Sequence, residues 1–168
     1  MKIIETERLY LRELVLDDKE ELSKVLSDSE SMRHYPEPFS EEKVENWILW
    51  NIDSYQKYHH GLWAVILKDG DQFIGDCGIT MQNIDNELLP EIGFHIIKDY
   101  WNNGYATEAA LGCKQYAFDV LGYSKIFSYT TLDNIPSQRV ARNIDMQTYK
   151  MFEKNGEKQI VQVAYNND

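Results

Sequence analysis

Two apolar runs, Leu62 to Lys68 and Gln72 to Thr80, meet at Asp69-Gly70-Asp71. Runs of this kind joined by a short Gly/Asp turn specify a β-hairpin. A lone hairpin is marginal in water, so it must recruit further strands or a helix to cover its apolar face. The flanking segments supply both. Thr6 to Leu14 alternates around Leu9, Leu11 and Val15 and predicts a first strand. Asp17-Asp18 is placed to cap a helix running to about Ser27, with Leu22, Val25 and Leu26 on one face. Pro36 and Pro38 break the chain. Ser40-Glu41-Glu42-Lys43 then reads as an N-cap with acids in the first turn, followed at helical spacing by Val44, Trp47, Ile48, Asn51, Ile52 and Tyr55.

Leu88 to Ile97 reads as another strand, set off by a polar turn over Gln82 to Glu87. Gly104 to Val120 is helical, Lys125 to Thr131 is a strand, and Pro136 to Ile144 is a short helix opened by Asp133 or Asn134. Gln147 to Phe152 and Lys158 to Ala164 form a terminal hairpin around Asn155-Gly156. The order is strand, two helices, three strands, helix, strand, helix, two strands. At 168 residues this predicts one α+β domain over 1–168, with a central mixed, mostly antiparallel sheet flanked by helices. The strand–helix–strand unit from 88 to 131 would be a parallel crossover.

The segment from Tyr100 to Ala110, YWNNGYATEAA, reads as a loop running into a helix start, with small residues where the turn is tightest. The first N–H groups of a helix have no intrahelical partner and that end carries positive partial charge. Gly and Ala let an anion come close, so a phosphate or pyrophosphate is the expected guest. The net charge is −11 and no Lys/Arg cluster stands out, which argues against nucleic acid and favours a cationic partner such as an amine or basic peptide. No apolar run approaches a membrane span, and the N-terminus turns charged at once, so a cytoplasmic protein with no membrane partner is expected. Cys77 and Cys113 form no C-x-x-C pair and are expected as packed, reduced thiols. His34, His59 and His60 have no carboxylate at fixed spacing, so no metal is expected.

Four segments together resemble the GNAT family of N-acetyltransferases, in its Rim-type branch of ribosomal-protein N-terminal acetyltransferases. They are Thr6 to Arg12, Phe73-Ile74-Gly75, Glu91-Ile92-Gly93-Phe94 followed by the loop–helix segment, and Asn134-Ile135-Pro136-Ser137 with Val140-Ala141. The resemblance covers nearly the whole chain. It implies a GNAT-like fold and acetyl-coenzyme A as donor, with the pyrophosphate on Asn102, Asn103, Gly104, Tyr105, Ala106 and Thr107. The pantetheine amides would bond the backbone of Phe94, His95 and Ile96, a strand-addition geometry. Asn134 and Ser137 would contact the pantetheine arm and sulfur. Two positions depart from the family pattern: Asn102 and Asp145 stand where glycine is usual. Asn tolerates left-handed backbone angles better than most residues.

An amine acceptor arrives as ammonium and must lose a proton before it attacks a thioester. In the resembled branch the residue matching Glu91 is a frequent general base; as residues alone, a strand-end carboxylate that pairs with a cation reads equally well. His95 shares the Glu91 face and titrates in a suitable range, although a packed histidine is the commoner role. Ser137 is the candidate to assist thiolate departure, because the tyrosine that many GNATs carry seven residues after the motif asparagine is Ala141 here. A first-turn helix serine is the plainer reading. Lys98, Arg139 and Arg142 are candidate partners for the 3′-phosphate, and Trp47, Trp50, Tyr55, Tyr58 and Trp63 candidate lining for the acceptor site. The acceptor would be a protein N-terminus or a small amine, and the branch is often dimeric. The competing reading is a coenzyme A-binding regulatory module that has lost catalysis.

Overall fold

The N-terminal segment folds back on itself earlier than its alternation predicts. In the computed structural model, which describes residues 1–167, Lys2–Glu5 forms β1 and Leu9–Glu13 forms β2, paired antiparallel. The strand expected over Thr6 to Leu14 is β2, and β1 before it is a further strand that the alternation does not predict. Thr6 makes the reversal: its N–H donates to the Leu9 carbonyl at 2.9 Å, and its hydroxyl accepts from the Leu9 N–H at 3.2 Å. No Gly, Asn or Pro marks this turn, so the pattern carries no sign of it.

A 3₁₀ turn at Leu16–Asp18 leads into α1, Lys19–Leu26. Asp18 does not cap it. Its carboxylate faces backwards, taking the Val15 N–H at 2.8 Å and both terminal nitrogens of Arg12 at 2.9 Å. Ser40 does cap α2, Glu41–Tyr58, accepting from the Lys43 N–H at 3.2 Å. Then come β3 (Leu62–Leu67), β4 (Gln72–Ile84) and β5 (Glu87–Ile96). The β4–β5 hairpin is longer than expected: the chain reverses only at Asp85-Asn86, with φ of 49° and 70°. A two-residue type I′ turn requires both central residues in this region, and Asp and Asn accept it. The remaining elements are α3 (Tyr105–Asp119), β6 (Lys125–Thr131), α4 (Ile135–Asn143), β7 (Gln147–Lys154) and β8 (Glu157–Tyr165).

The strands form one sheet in the order β1-β2-β3-β4-β5-β6-β8-β7. Every pairing is antiparallel except β5–β6, where α3 supplies the crossover. That pairing is a single bridge, Glu91 opposite Phe127. Helices cover both faces. Leu22, Val25 and Leu26 of α1 and Val44 and Ile48 of α2 bury against Ala64, Ile66 and Ile97. On the other face α3 packs Ala109, Ala110, Cys113 and Ala117 against Cys77, Ile79 and Ile92, with Ala141 of α4 in the same cluster. This is the expected α+β architecture. Among the described residues no helix is long and apolar enough to cross a membrane.

The two cysteines face each other across the β4–α3 contact, Sγ to Sγ 3.7 Å, both buried and both free thiols.

Candidate active site

The loop before α3 is rigidly built. Asn102 and Gly104 have φ of 66° and 80°, so Asn102 makes the left-handed turn that glycine usually supplies. The Asn103 side chain donates to the carbonyls of Tyr100 (3.1 Å) and Trp101 (3.0 Å). Arg8 holds the loop from outside. It donates to the Asn103 carbonyl at 2.9 Å, pairs with Glu108 at 2.7 Å, and lies over the Tyr105 ring at 4.5 Å. The first bond into α3 runs from the Glu108 N–H to the Gly104 carbonyl at 3.0 Å. The N–H groups of Tyr105, Ala106 and Thr107 precede it and face out of the helix start. Glu108 would repel an anion there, but it is neutralised: burial works against its charged form, while Thr6, the Arg8 N–H and the Arg8 guanidinium together hold its carboxyl below the usual range.

Strand β5 leads into this loop. The Ile97 N–H donates to the Ile74 carbonyl at 2.8 Å, and the register runs unbroken from Gly75 opposite Ile96. Alternation then turns the N–H and C=O groups of Ile92, Phe94 and Ile96 away from β4, toward the side where β6 departs. The Ile96 carbonyl is already engaged there by the Trp101 indole N–H at 2.7 Å. Backbone recognition by Phe94 and by the Ile96 N–H is thus geometrically available. His95, read with them as a backbone position, instead turns its N–H and C=O toward β4.

Glu91, Gly93 and His95 lie on the α1–α2 face. Past the single Glu91–Phe127 bridge β5 and β6 are unpaired, and Glu91 reaches across this split to accept the Tyr129 N–H of β6 at 3.2 Å. Desolvation by burial pushes its carboxyl up to about 8, against the pull of the Tyr129 N–H and Lys154. The His95 side chain, 10% exposed, is held at both nitrogens: Nδ1 lies 2.8 Å from Asp76 Oδ1, and Nε2 lies 2.7 Å from the Tyr35 hydroxyl. Asp76 is fully buried, and its other oxygen accepts the Trp47 indole N–H at 3.2 Å. Tyr35 belongs to the segment between α1 and α2. That segment is tied down on both sides of the split, by Asp28 with Lys98 at 3.1 Å and His34 with Asp133 at 3.6 Å.

Asn134 caps α4, its side-chain oxygen accepting the Ser137 N–H at 3.3 Å while its amide donates to Thr130 at 2.9 Å. Ser137 stands half-buried in the first turn. Glu91 and the Asn134–Ser137 turn therefore both meet β6, at Tyr129 and Thr130. Other expectations are displaced. Lys98 is spent on Asp28 and Glu30. Tyr55 and Trp63 are core: the Tyr55 hydroxyl takes the Leu14 N–H and donates to the Leu62 carbonyl, and Trp63 packs edge-on to Tyr116. Asp145 adopts φ 64°, so the turn into β7 forms without glycine. Arg8, Asp76 and Tyr35 carry roles the sequence reading did not assign. The one signal for Asp76 is a charge inside the apolar run from Phe73 to Ile79.

Comparison with known proteins bears on the family and the fold. The family model for the acetyltransferase (GNAT) domain matches residues 8–147. An uncharacterised N-acetyltransferase of Bacillus subtilis, YnaD, is 34% identical over 153 residues, covering 90% of this chain and 86% of YnaD. YkkB of the same organism is 33% identical over 150 residues, covering 89% and 87%. A GNAT-family acetyltransferase structure from Bacillus anthracis superposes with a TM-score of 0.83 at 26% identity, covering 96% of this chain and 97% of that one. The chain belongs to the GNAT acetyltransferase family and is an enzyme of the acyltransferase class.

Proposed function

We propose that the protein transfers the acetyl group of acetyl-coenzyme A directly to a primary amine, within one GNAT domain over residues 1–168. The observation that carries this reading is the split at Glu91–Phe127. It frees the outward N–H and C=O groups of β5 for a pantetheine arm and runs straight into the anion-binding start of α3. The pyrophosphate lies on Asn102 to Thr107, with the Tyr105, Ala106 and Thr107 N–H groups as donors.

The amine attacks the thioester carbonyl carbon, a C–N bond forms, and the C–S bond breaks with its electron pair going to sulfur. Glu91, in its ionised form, takes a proton from the ammonium; a carboxyl with a pKa of about 8 is matched to that task near neutral pH. The Phe94 N–H donates to the oxyanion that develops. The Ser137 hydroxyl hydrogen-bonds the departing thiolate. The acceptor is an N-terminal or small-molecule amine, as in the Rim-type branch, in a cytoplasmic protein able to act as a homodimer. Free-thiol release from acetyl-coenzyme A with a panel of amines and short peptides tests the reading. Transfer to one or more amines, reduced at least tenfold in Glu91→Gln, is expected; tight coenzyme binding without transfer to any amine refutes it.

A further inference from the structure

Acetylation of an ammonium needs two protons removed from the same nitrogen. R–NH₃⁺ must become R–NH₂ to attack, and the new C–N bond leaves a positively charged nitrogen that loses a second proton as the C–S bond breaks. One proton ends on the coenzyme's sulfur and the other in solvent. A single carboxyl offers one place to put them. The α1–α2 face of β5 holds a second acceptor of another kind.

Asp76, His95 and Tyr35 form a continuous hydrogen-bonded chain from the core to the split. The partners fix its direction. Asp76 is fully buried, with one oxygen accepting the Trp47 indole N–H and the other facing His95 Nδ1. Indole only donates, so with Asp76 as the carboxylate and His95 as neutral imidazole Nδ1 carries the proton and Nε2 is left as an acceptor. The Tyr35 hydroxyl at 2.7 Å donates to it. The tyrosine oxygen keeps its lone pairs for a donor outside the chain. Tyr35 is 41% exposed as a residue, the most exposed member of the chain, with its hydroxyl at the desolvated inner end against His95. Its hydroxyl also lies within the field of Glu91: desolvation first, then Glu91, then Asp76 raise its pKa. Gly93 stands between Glu91 and His95 on the strand and places no side chain in the way; a Cβ built on it would come 3.9 Å from Glu91 Oε1.

We infer that Asp76, His95 and Tyr35 act as a second proton acceptor for the amine, separate from Glu91. A proton leaves the substrate nitrogen for the Tyr35 oxygen as the Tyr35 proton passes to His95 Nε2. The imidazolium is held by the buried Asp76 carboxylate and discharges to water through the same hydroxyl. Tyr35 is the catalytic residue that touches substrate; His95 and Asp76 act through it. The groups facing His95 are Asp76 of β4, Trp47 of α2, Tyr35 of the connecting segment and, farther along its own strand, Glu91, which in turn faces Tyr129 of β6 and the field of Lys154.

The inference rests on the proposed transfer to an amine, and the test separates the two. The kcat and kcat/KM are measured against pH for the wild type, Tyr35→Phe, His95→Gln, Asp76→Asn and Glu91→Gln, using acetyl-coenzyme A and the best primary amine of the panel. Tyr35→Phe and His95→Gln are expected to lower kcat about 100-fold with KM for acetyl-coenzyme A unchanged. Glu91→Gln removes the Glu91 ionisation from the pH profile, whereas Tyr35→Phe and His95→Gln keep it while lowering kcat. Free imidazole is expected to restore a His95→Gly variant. If Asp76→Asn fails to fold, Tyr35→Phe, at a partly exposed position, still decides. An active wild type whose Tyr35→Phe and His95→Gln variants keep its kcat and pH profile overturns the inference and leaves the transferase reading intact. Loss of activity through KM alone, without imidazole rescue, overturns it as well. A wild type that acetylates no amine overturns the proposed function and this inference with it.

Discussion

Replacing Glu91 by Gln should stabilise the protein at alkaline pH, although the residue is proposed to be essential for turnover. The carboxyl titrates at 4.5 in an open chain and at about 8 in the fold, because burial penalises its charged form. Between those values the folded state holds one more proton than the unfolded state. Stability therefore falls as pH rises through that window, is fully present below the lower value, and is lost above the upper one. A span of about 3.5 pH units at about 1.4 kcal/mol each sets a ceiling of about 5 kcal/mol. Glu91 is only half-buried, and its partner on Tyr129 favours the charged form, so about 2–3 kcal/mol is the expected effect. Gln carries no charge at any of these pH values. Urea unfolding at unit steps from pH 5 to pH 9 should show wild type and Glu91→Gln nearly equal at pH 5, then diverging in favour of the variant. At this chain length the divergence at pH 9 corresponds to about 6–10 °C in Tm. Every other ionisable group is common to both proteins and cancels in the difference. A difference that stays constant with pH, or that favours the wild type at pH 9, refutes the argument that this carboxyl is held neutral by desolvation.

Gly78→Ala would place a methyl group 2.0 Å from the Gly61 carbonyl oxygen, a backbone atom that cannot swing aside. A loss of about 3 kcal/mol or more is expected by chemical denaturation. Arg8→Ala removes the ion pair to Glu108, the bond to the Asn103 carbonyl and the stacking on Tyr105. Steady-state kinetics should show a raised KM for acetyl-coenzyme A with kcat little changed, at a stability cost of about 1 kcal/mol because the pair is partly exposed. Asn102 holds φ 66°, so Asn102→Ala should cost about 1 kcal/mol and weaken coenzyme binding, whereas Asn102→Gly should do neither; calorimetric titration with coenzyme A distinguishes the pair.

The parts of this fold that could be read from sequence are those where the signal is local. Ser40 and Asn134 announce helix starts because a capping side chain bonds a backbone group three residues away. The loop and helix start proposed to take the pyrophosphate at 102–107 are legible for the same reason, since a loop, small residues and a helix start are contiguous. Strand β1 is not legible because four residues without a marked turn carry little periodicity, and Asp18 reads as a cap although Arg12 outcompetes the helix end for its carboxylate. The Asp76–His95–Tyr35 chain joins residues 19 and 60 positions apart. Nothing near Tyr35 marks it: it precedes Pro36 in a stretch that reads only as a break. Arg8 sits in a recognisable segment, yet its partners Asn103 and Glu108 lie 95 and 100 residues away. Motifs locate such residues, and only the packing of elements says what they hold.

The lone bridge between Glu91 and Phe127 also has a mechanical meaning. The sheet is two plates fastened by one rivet, with β1 to β5 on one side and β6, β8 and β7 on the other. Within each plate backbone hydrogen bonds resist shear; between them the tilt is resisted by helix packing and by the few side chains that cross. Glu91 is both the rivet and the proposed proton acceptor, so the angle between the plates sets the distance from its carboxyl to the Tyr129 N–H. Anything that spans the two plates stiffens that angle as it binds. At a hundredfold excess over its Kd such a ligand adds about 2.7 kcal/mol to stability. Slowed amide exchange on β6, the strand across the rivet from β5, would then serve as a gauge of occupancy.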